Sequence, residues 1–131
     1  MENKVRVGVI GCGAIGRDHI RRLTGLVPET DVVAVADFVP EAAQKVAGQY
    51  GAKFYATGEE LIAAPEVDAV LITSADPSHA GYVLECLKHN KYVFCEKPLA
   101  QTASDCEKIM QAELACGKRL EEYTGKSGCK L

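Results

Sequence analysis

Apolar residues in this chain follow two rhythms that alternate from one end to the other. Short continuous runs, such as Val32-Val33-Ala34-Val35-Ala36 and Ala69-Val70-Leu71-Ile72, have the character of strands buried on both faces of a parallel sheet. Between them lie segments whose apolar residues recur at helical spacing. The pattern predicts strands over 4–10, 31–36, 53–55, 67–73 and 91–96, and helices over 14–26, 40–50, 57–64, 78–90 and 104–116. The faces predicted to be buried are Ile15, His19, Leu23 and Leu26 in the first helix and Ala43, Val46, Ala47 and Tyr50 in the second. In the last two helices they are Ala80, Val83, Leu84 and Leu87, then Cys106, Ile109, Met110 and Leu114. Pro40 suits a first helical position. Thr57-Gly58-Glu59-Glu60 and Ser104-Asp105-Cys106-Glu107 have capping-box spacing, and Gly117 suits a helix end.

Five strand-helix steps of this kind specify an α/β fold, a doubly wound parallel sheet of Rossmann type with strand order 3-2-1-4-5, in one domain over residues 1–120. The same grammar asks for a sixth strand after Lys118-Arg119-Leu120. The adjacent carboxylates of Glu121 and Glu122 suit no buried strand. The expectation is therefore that the sixth strand and a second domain are missing and that 121–131 is a divergent tail. The fifth strand then becomes an open edge, and self-association into a homo-oligomer is expected.

Composition narrows the function classes. The 131 residues carry 15 Lys and Arg against 18 Asp and Glu, a net charge of −3. The basic residues are scattered, so no stripe tracks a nucleic-acid backbone. No apolar run approaches the roughly 20 residues of a membrane span. Met1-Glu2-Asn3-Lys4 leads directly into strand-like sequence without an apolar leader, so a cytoplasmic location is expected. The six cysteines, Cys12, Cys86, Cys95, Cys106, Cys116 and Cys129, form no C-x-x-C pair, and His19, His79 and His89 complete no metal-ligand spacing. Free, mostly buried thiols are expected rather than a metal site or a disulfide scaffold. Gly125-Lys126-Ser127 lacks the upstream glycine of a phosphate loop, and Cys129 is misplaced for prenylation.

The chemistry concentrates at Gly11-Cys12-Gly13-Ala14-Ile15-Gly16, where the first strand meets the first helix. Gly11 permits a tight turn, Gly13 places no Cβ between backbone and a pyrophosphate, and Gly16 permits close helix packing. The free N–H groups at the helix start favour an anion. Asp37 lies 21 residues beyond Gly16, at the carboxyl end of the second strand, where a carboxylate accepts from ribose hydroxyls. The same carboxylate repels a 2′-phosphate, and Phe38, Val39 and Pro40 offer no Arg, so NAD is expected over NADP. S-adenosylmethionine fits less well, since it has no pyrophosphate for the third glycine to serve. At the reversal of strand order the ligand meets Thr73, Ser74 and His79 on one side. Glu96 and Lys97 follow one strand further along, where Pro98 holds Lys97 out of helical geometry.

With Tyr92-Val93-Phe94-Cys95-Glu96-Lys97-Pro98-Leu99-Ala100 added to the glycine loop and Asp37, the chain resembles the N-terminal domain of the glucose-fructose oxidoreductase and inositol dehydrogenase (Gfo/Idh/MocA) family, over about residues 4–120. Its inositol dehydrogenase members are the most similar in pattern. The resemblance implies an oxidoreductase domain that binds NAD(H) and serves hydride transfer from a secondary alcohol of a polyol or cyclitol. It also implies that Lys97 contacts the reacting hydroxyl and takes part in proton transfer, with Glu96 near the nicotinamide ribose. Family members add a substrate domain, which in the inositol dehydrogenases supplies a catalytic Asp and His. Nothing in residues 1–131 matches that pair, so weak coenzyme binding without polyol turnover is expected of this polypeptide. The alternative from another class is a non-catalytic nucleotide-sensing or interaction module.

Overall fold

The computed structural model describes residues 4–95, 102–116 and 120–122. Strands are β1 (Val5–Ile10), β2 (Thr30–Ala36), β3 (Lys53–Phe54), β4 (Ala69–Ile72), β5 (Tyr92–Cys95) and β6 (Leu120–Glu122). Helices are α1 (Ala14–Leu26), α2 (Pro40–Tyr50), α3 (Gly58–Ala63), α4 (His79–Lys88) and α5 (Ala103–Cys116), with a 3-10 turn at Asp76–Ser78 before α4. The strands form one sheet in the order β3-β2-β1-β4-β5-β6, and every pairing is parallel. The order 3-2-1-4-5 is thus as the alternation of elements predicts.

A sixth strand is present, which corrects the expectation that it is missing. Leu120, Glu121 and Glu122 pair with Val93, Phe94 and Cys95. The argument from adjacent carboxylates assumed a central position. At an edge, charged residues are tolerated and commonly protect the strand from further pairing. Among the described residues, the edge of the sheet on this side is consequently β6, not β5.

Pleating divides the sheet's side chains between two apolar layers. Ile10, Ala34, Ala36, Val70, Ile72, Val93 and Cys95 face the layer completed by Leu61, Ile62, Val83, Cys86, Leu87, Cys106 and Ile109 of α3, α4 and α5. Val7, Val9, Val35 and Leu71 face Ile20, Ala43, Val46 and Ala47 of α1 and α2. Val32 and Val35 share this second face at a spacing of three because the register of β1 on β2 shifts between Val7 and Gly8. Burying ten residues of Val, Leu or Ile size in the first layer and seven in the second, at ~1.5–3 kcal/mol each, supplies the main drive for folding.

The helix faces need three corrections. In α1 the buried residues are Gly16, His19 and Ile20, whereas Ile15 and Leu26 are exposed. The helix is rotated because its first turn presses Gly16, not Ile15, onto the glycine loop. In α4, His79 and Cys86 join Val83 and Leu87 inside, and Ala80 and Leu84 are only partly buried. In α5, Cys106 and Ile109 are buried, but Met110 and Leu114 lie on the adjacent stripe and are exposed, Leu114 at 85%. The cap of α5 is Thr102 rather than Ser104, since Thr102 Oγ1 accepts from the Asp105 amide at 3.1 Å. Thr57 caps α3 as predicted, accepting from the Glu60 amide at 3.1 Å.

Cys12, Cys86 and Cys95 are buried thiols, whereas Cys106 is disulfide-bonded, against the expectation of free thiols. Spacing along a chain does not reveal which cysteines a fold brings together. Among the described residues, no helix is long and apolar enough to cross a membrane, and no group of three His, Cys, Asp or Glu side chains is placed to hold a metal ion.

Candidate functional site

Strand register aligns the carboxyl ends of four neighbouring strands. Ile10 pairs with Ala36 on one side and with Ile72 on the other, and Ile72 pairs with Cys95. The next residue on three of these strands is Asp37, Gly11 or Thr73, so these stand side by side at intervals of about 4.8 Å. The helix after β1 lies on one face of the sheet and the helices after β4 on the other. A crevice opens at such a reversal.

Each glycine of the loop has a distinct physical reason. Gly11 has φ +108°, and a Cβ built there would lie 2.6 Å from the Ser74 amide nitrogen and the Thr73 carbonyl carbon. Gly16 is tighter, with its Cβ position 1.8 Å from the Gly11 carbonyl oxygen and 2.8 Å from Thr73 Oγ1. Gly13 is the opposite case, because, its two chain neighbours aside, no atom of the described residues lies within 4 Å of its Cβ position. It is also the N-cap of α1, in extended conformation, and no side chain caps the helix. The first turn, which includes Ala14 and Ile15, holds no acidic residue. The positive end of a 13-residue helix is thereby presented to open space above Gly13.

Asp37 is fixed beside this loop by two backbone amides. Cys12 N–H donates to its Oδ1 at 2.6 Å and Val39 N–H to its Oδ2 at 2.8 Å. Each carboxylate oxygen retains a lone pair for a further donor. The Cys12 thiol turns inward toward the Ala36 carbonyl at 3.6 Å. Its pKa is pushed up to about 12, first by burial and then by the Asp37 charge, so it is a packing group and not a nucleophile. Phe38, next along, is fully exposed at the end of β2.

On the β4 side, Thr73 Oγ1 bonds the Gly11 carbonyl at 2.8 Å and its amide bonds the Ile10 carbonyl at 2.9 Å. Ser74 Oγ lies 2.6 Å from Ser78 Oγ, which also bonds the Ala75 carbonyl at 2.6 Å. His79 is 1% exposed, with Nε2 2.9 Å from the Ser74 carbonyl oxygen. The structure thus brings Gly11, Cys12, Gly13, Ala14, Ile15, Gly16, Asp37, Phe38, Thr73, Ser74 and His79 to one end of the sheet. Glu96, Lys97 and Pro98 lie outside the described residues; Cys95, the residue before them, ends β5 in register with Ile72.

Two participants were not evident from sequence. Ser78 locks the turn after β4, and its only signal was a Ser-x-x-x-Ser spacing across Pro77. Arg17 donates from Nε to the Gly13 carbonyl at 3.3 Å, which holds a guanidinium at the loop. In sequence it looked like any exposed helical Arg.

Known proteins resemble this chain in sequence and in fold. Residues 5–123 match the Gfo/Idh/MocA family, described as an oxidoreductase family with an NAD-binding Rossmann fold. The inositol 2-dehydrogenase of Burkholderia cenocepacia is 52% identical over 118 residues, covering 88% of this chain and 35% of that protein. Inositol 2-dehydrogenase 3 of Saccharopolyspora erythraea is 53% identical over 116 residues, covering 88% and 34%. The crystal structure of myo-inositol dehydrogenase from Lactobacillus casei, in complex with NAD(H) and myo-inositol, superposes with a TM-score of 0.86 at 39% identity, over 91% of this chain and 36% of that one. The chain spans about a third of the length of these relatives. The glycine loop, the acid at the end of β2 and the extent of these matches lead to one conclusion: the chain belongs to the Gfo/Idh/MocA oxidoreductase family, as an NAD-binding Rossmann domain.

Proposed function

We propose that this chain holds NAD(H) across the carboxyl ends of β2, β1 and β4, as the coenzyme half of an inositol dehydrogenase-like oxidoreductase. The observation that carries this reading is the open space at Gly13, directly before the uncapped start of α1, beside a carboxylate pinned to the same loop. Two phosphates fit there because the helix offers N–H donors and no competing acid. Gly11, Cys12, Gly13, Ala14, Ile15 and Gly16 would line the diphosphate, and Asp37 would accept from the adenosine ribose. The exposed ring of Phe38 would flank the adenine. Thr73 and Ser74 would border the nicotinamide half, with His79 behind them.

When bound, the nicotinamide ring supplies a hydride acceptor. The chain's own residues orient that ring and manage the proton of the reacting alcohol. We assign the proton at Nζ to Lys97, with Glu96 toward the nicotinamide ribose; both rest on their sequence position after β5 and on the family resemblance. A desolvated Lys beside a cationic ring loses its proton more readily, as accepting one from an alcohol requires. The substrate class we propose for the longer enzyme is a secondary alcohol of a polyol or cyclitol. Residues 1–131 alone are expected to bind coenzyme without turning such an alcohol over. We further propose that this polypeptide self-associates through the apolar sheet face beside α1 that includes Phe94, and that it works in the cytoplasm.

Calorimetric titration tests the reading. NADH should bind this chain with Kd on the order of 10 μM to 1 mM, about −7 to −4 kcal/mol. NADPH should bind roughly tenfold more weakly or worse, because its 2′-phosphate meets the Asp37 carboxylate. Saturation by NADPH at equal or lower concentration than NADH would overturn the assignment of Asp37.

A further inference from the structure

We propose that His79 is a positioning residue that sets the shape of the glycine loop from beneath, through the backbone of Ser74. This inference rests on the NAD(H) reading above for its consequence in binding, and on the packing between the turn after β4 and the glycine loop for its mechanism. The ring is 1% exposed and sits at the start of α4, so it does not reach into the crevice. Since the Ser74 carbonyl can only accept, Nε2 carries the proton, and this hydrogen bond ties α4 to the turn after β4 at 2.9 Å.

The turn in turn bears directly on the loop. The Ser74 amide and the Thr73 carbonyl group occupy the space where any side chain at position 11 would stand, 2.6 Å from its Cβ position. Thr73 Oγ1 bonds the Gly11 carbonyl at 2.8 Å, and the same two groups, Oγ1 and that carbonyl, form the wall against which Gly16 packs. A displacement of residues 73 and 74 therefore moves Gly11 and the first turn of α1 together. The Ser74–Ser78 hydroxyl pair braces the outer side of the turn, and His79 braces its inner side. A residue with no access to the coenzyme thus fixes where the amides that meet it point.

The test compares His79→Leu, which keeps bulk but loses the donor, with His79→Gln, whose side-chain amide reaches a similar position with an N–H. In the coenzyme-free protein, His79→Leu should speed amide hydrogen exchange at residues 11–13 and 73–75 while leaving Val35 and Val46 in the core unchanged. NADH affinity should fall about tenfold in His79→Leu and return to within about threefold of the parent in His79→Gln. Unchanged exchange at residues 11–13 in His79→Leu would overturn the proposal. So would faster exchange throughout the core together with a His79→Gln variant no better than Leu, which describes a purely structural histidine. If His79→Leu fails to fold, the His79→Gln exchange pattern decides: parent-like protection at residues 11–13 supports the role and lost protection there refutes it. If the parent protein binds no NADH, the coenzyme reading fails, while exchange at residues 11–13 still decides the role of His79.

Discussion

At the scale of single residues, three glycines of one motif differ in what surrounds them, and this makes them separable. Gly11 and Gly16 have backbone within 3 Å of a Cβ position, and Gly11 has a positive φ as well. Gly11→Ala and Gly16→Ala should each cost on the order of 1–3 kcal/mol, read as a lower melting temperature. Gly13→Ala meets nothing and should melt within about 0.5 kcal/mol of the parent, as open positions do. Equal destabilisation by all three would show that the loop is not shaped as described. These roles were legible in the sequence because each follows from the absence of a side chain at a fixed offset in a strand-to-helix turn. Asp37 was legible too, since its distance from the loop follows from the length of one helix and one strand. Ser78 and Arg17 were not, because hydroxyl pairing and side-chain direction depend on a turn geometry that periodicity does not encode.

At the scale of elements, the end of the sheet opposite the crevice is held by charge. Arg6 of β1 grips Asp68, just before β4, through Nε at 3.1 Å, Nη2 at 3.0 Å and its backbone amide at 3.0 Å. The Asp68 amide bonds back to the Arg6 carbonyl at 2.8 Å. The Arg6 side chain holds the Asp68 carboxyl below the usual carboxylate range. A depressed folded-state pKa stabilises the fold above the unfolded value, and that contribution is lost as pH falls through the folded value. Asp68→Asn should therefore lower the melting temperature at neutral pH, and the gap should close as acid protonates Asp68 in the parent. A gap that stays constant from neutral to strongly acid pH would assign the effect to packing. The existence of β1 to β5 and of α1 to α5 was readable from the alternation of periods. The rotation of α1, the Thr102 cap of α5 and the strand β6 were not, because each is decided by a neighbour: the glycine loop, the approach to the helix, and the free side of β5.

At the scale of the whole molecule, the two faces of the sheet are covered unequally. Among the described residues, three helices lie over one face, whereas α1 and α2 cover the half of the other face nearest β1 and β2. Beside α1 an apolar groove of about 390 Å³ runs between Leu23 and Leu26 and the sheet residues Val5, Leu71 and Phe94. Phe94 is 41% exposed and its neighbour Tyr92 48%. A parallel sheet is ordinarily covered on both sides, so this face is the expected seat of self-association. Light scattering should give a mass that rises with concentration and returns to that of a monomer in Phe94→Glu. A monomeric mass for the parent at all concentrations would contradict this.

The account as a whole depends on the space above residue 13 belonging to a diphosphate, and one titration addresses it. NADH is added to the parent and to Gly13→Ala, with folding of both verified by melting. The account predicts saturable binding by the parent and an affinity at least about tenfold weaker in a Gly13→Ala protein of unchanged stability, because the new methyl group fills the approach of the phosphates to the helix amides. Equal affinity in the two proteins would place the coenzyme elsewhere and contradict the central claim.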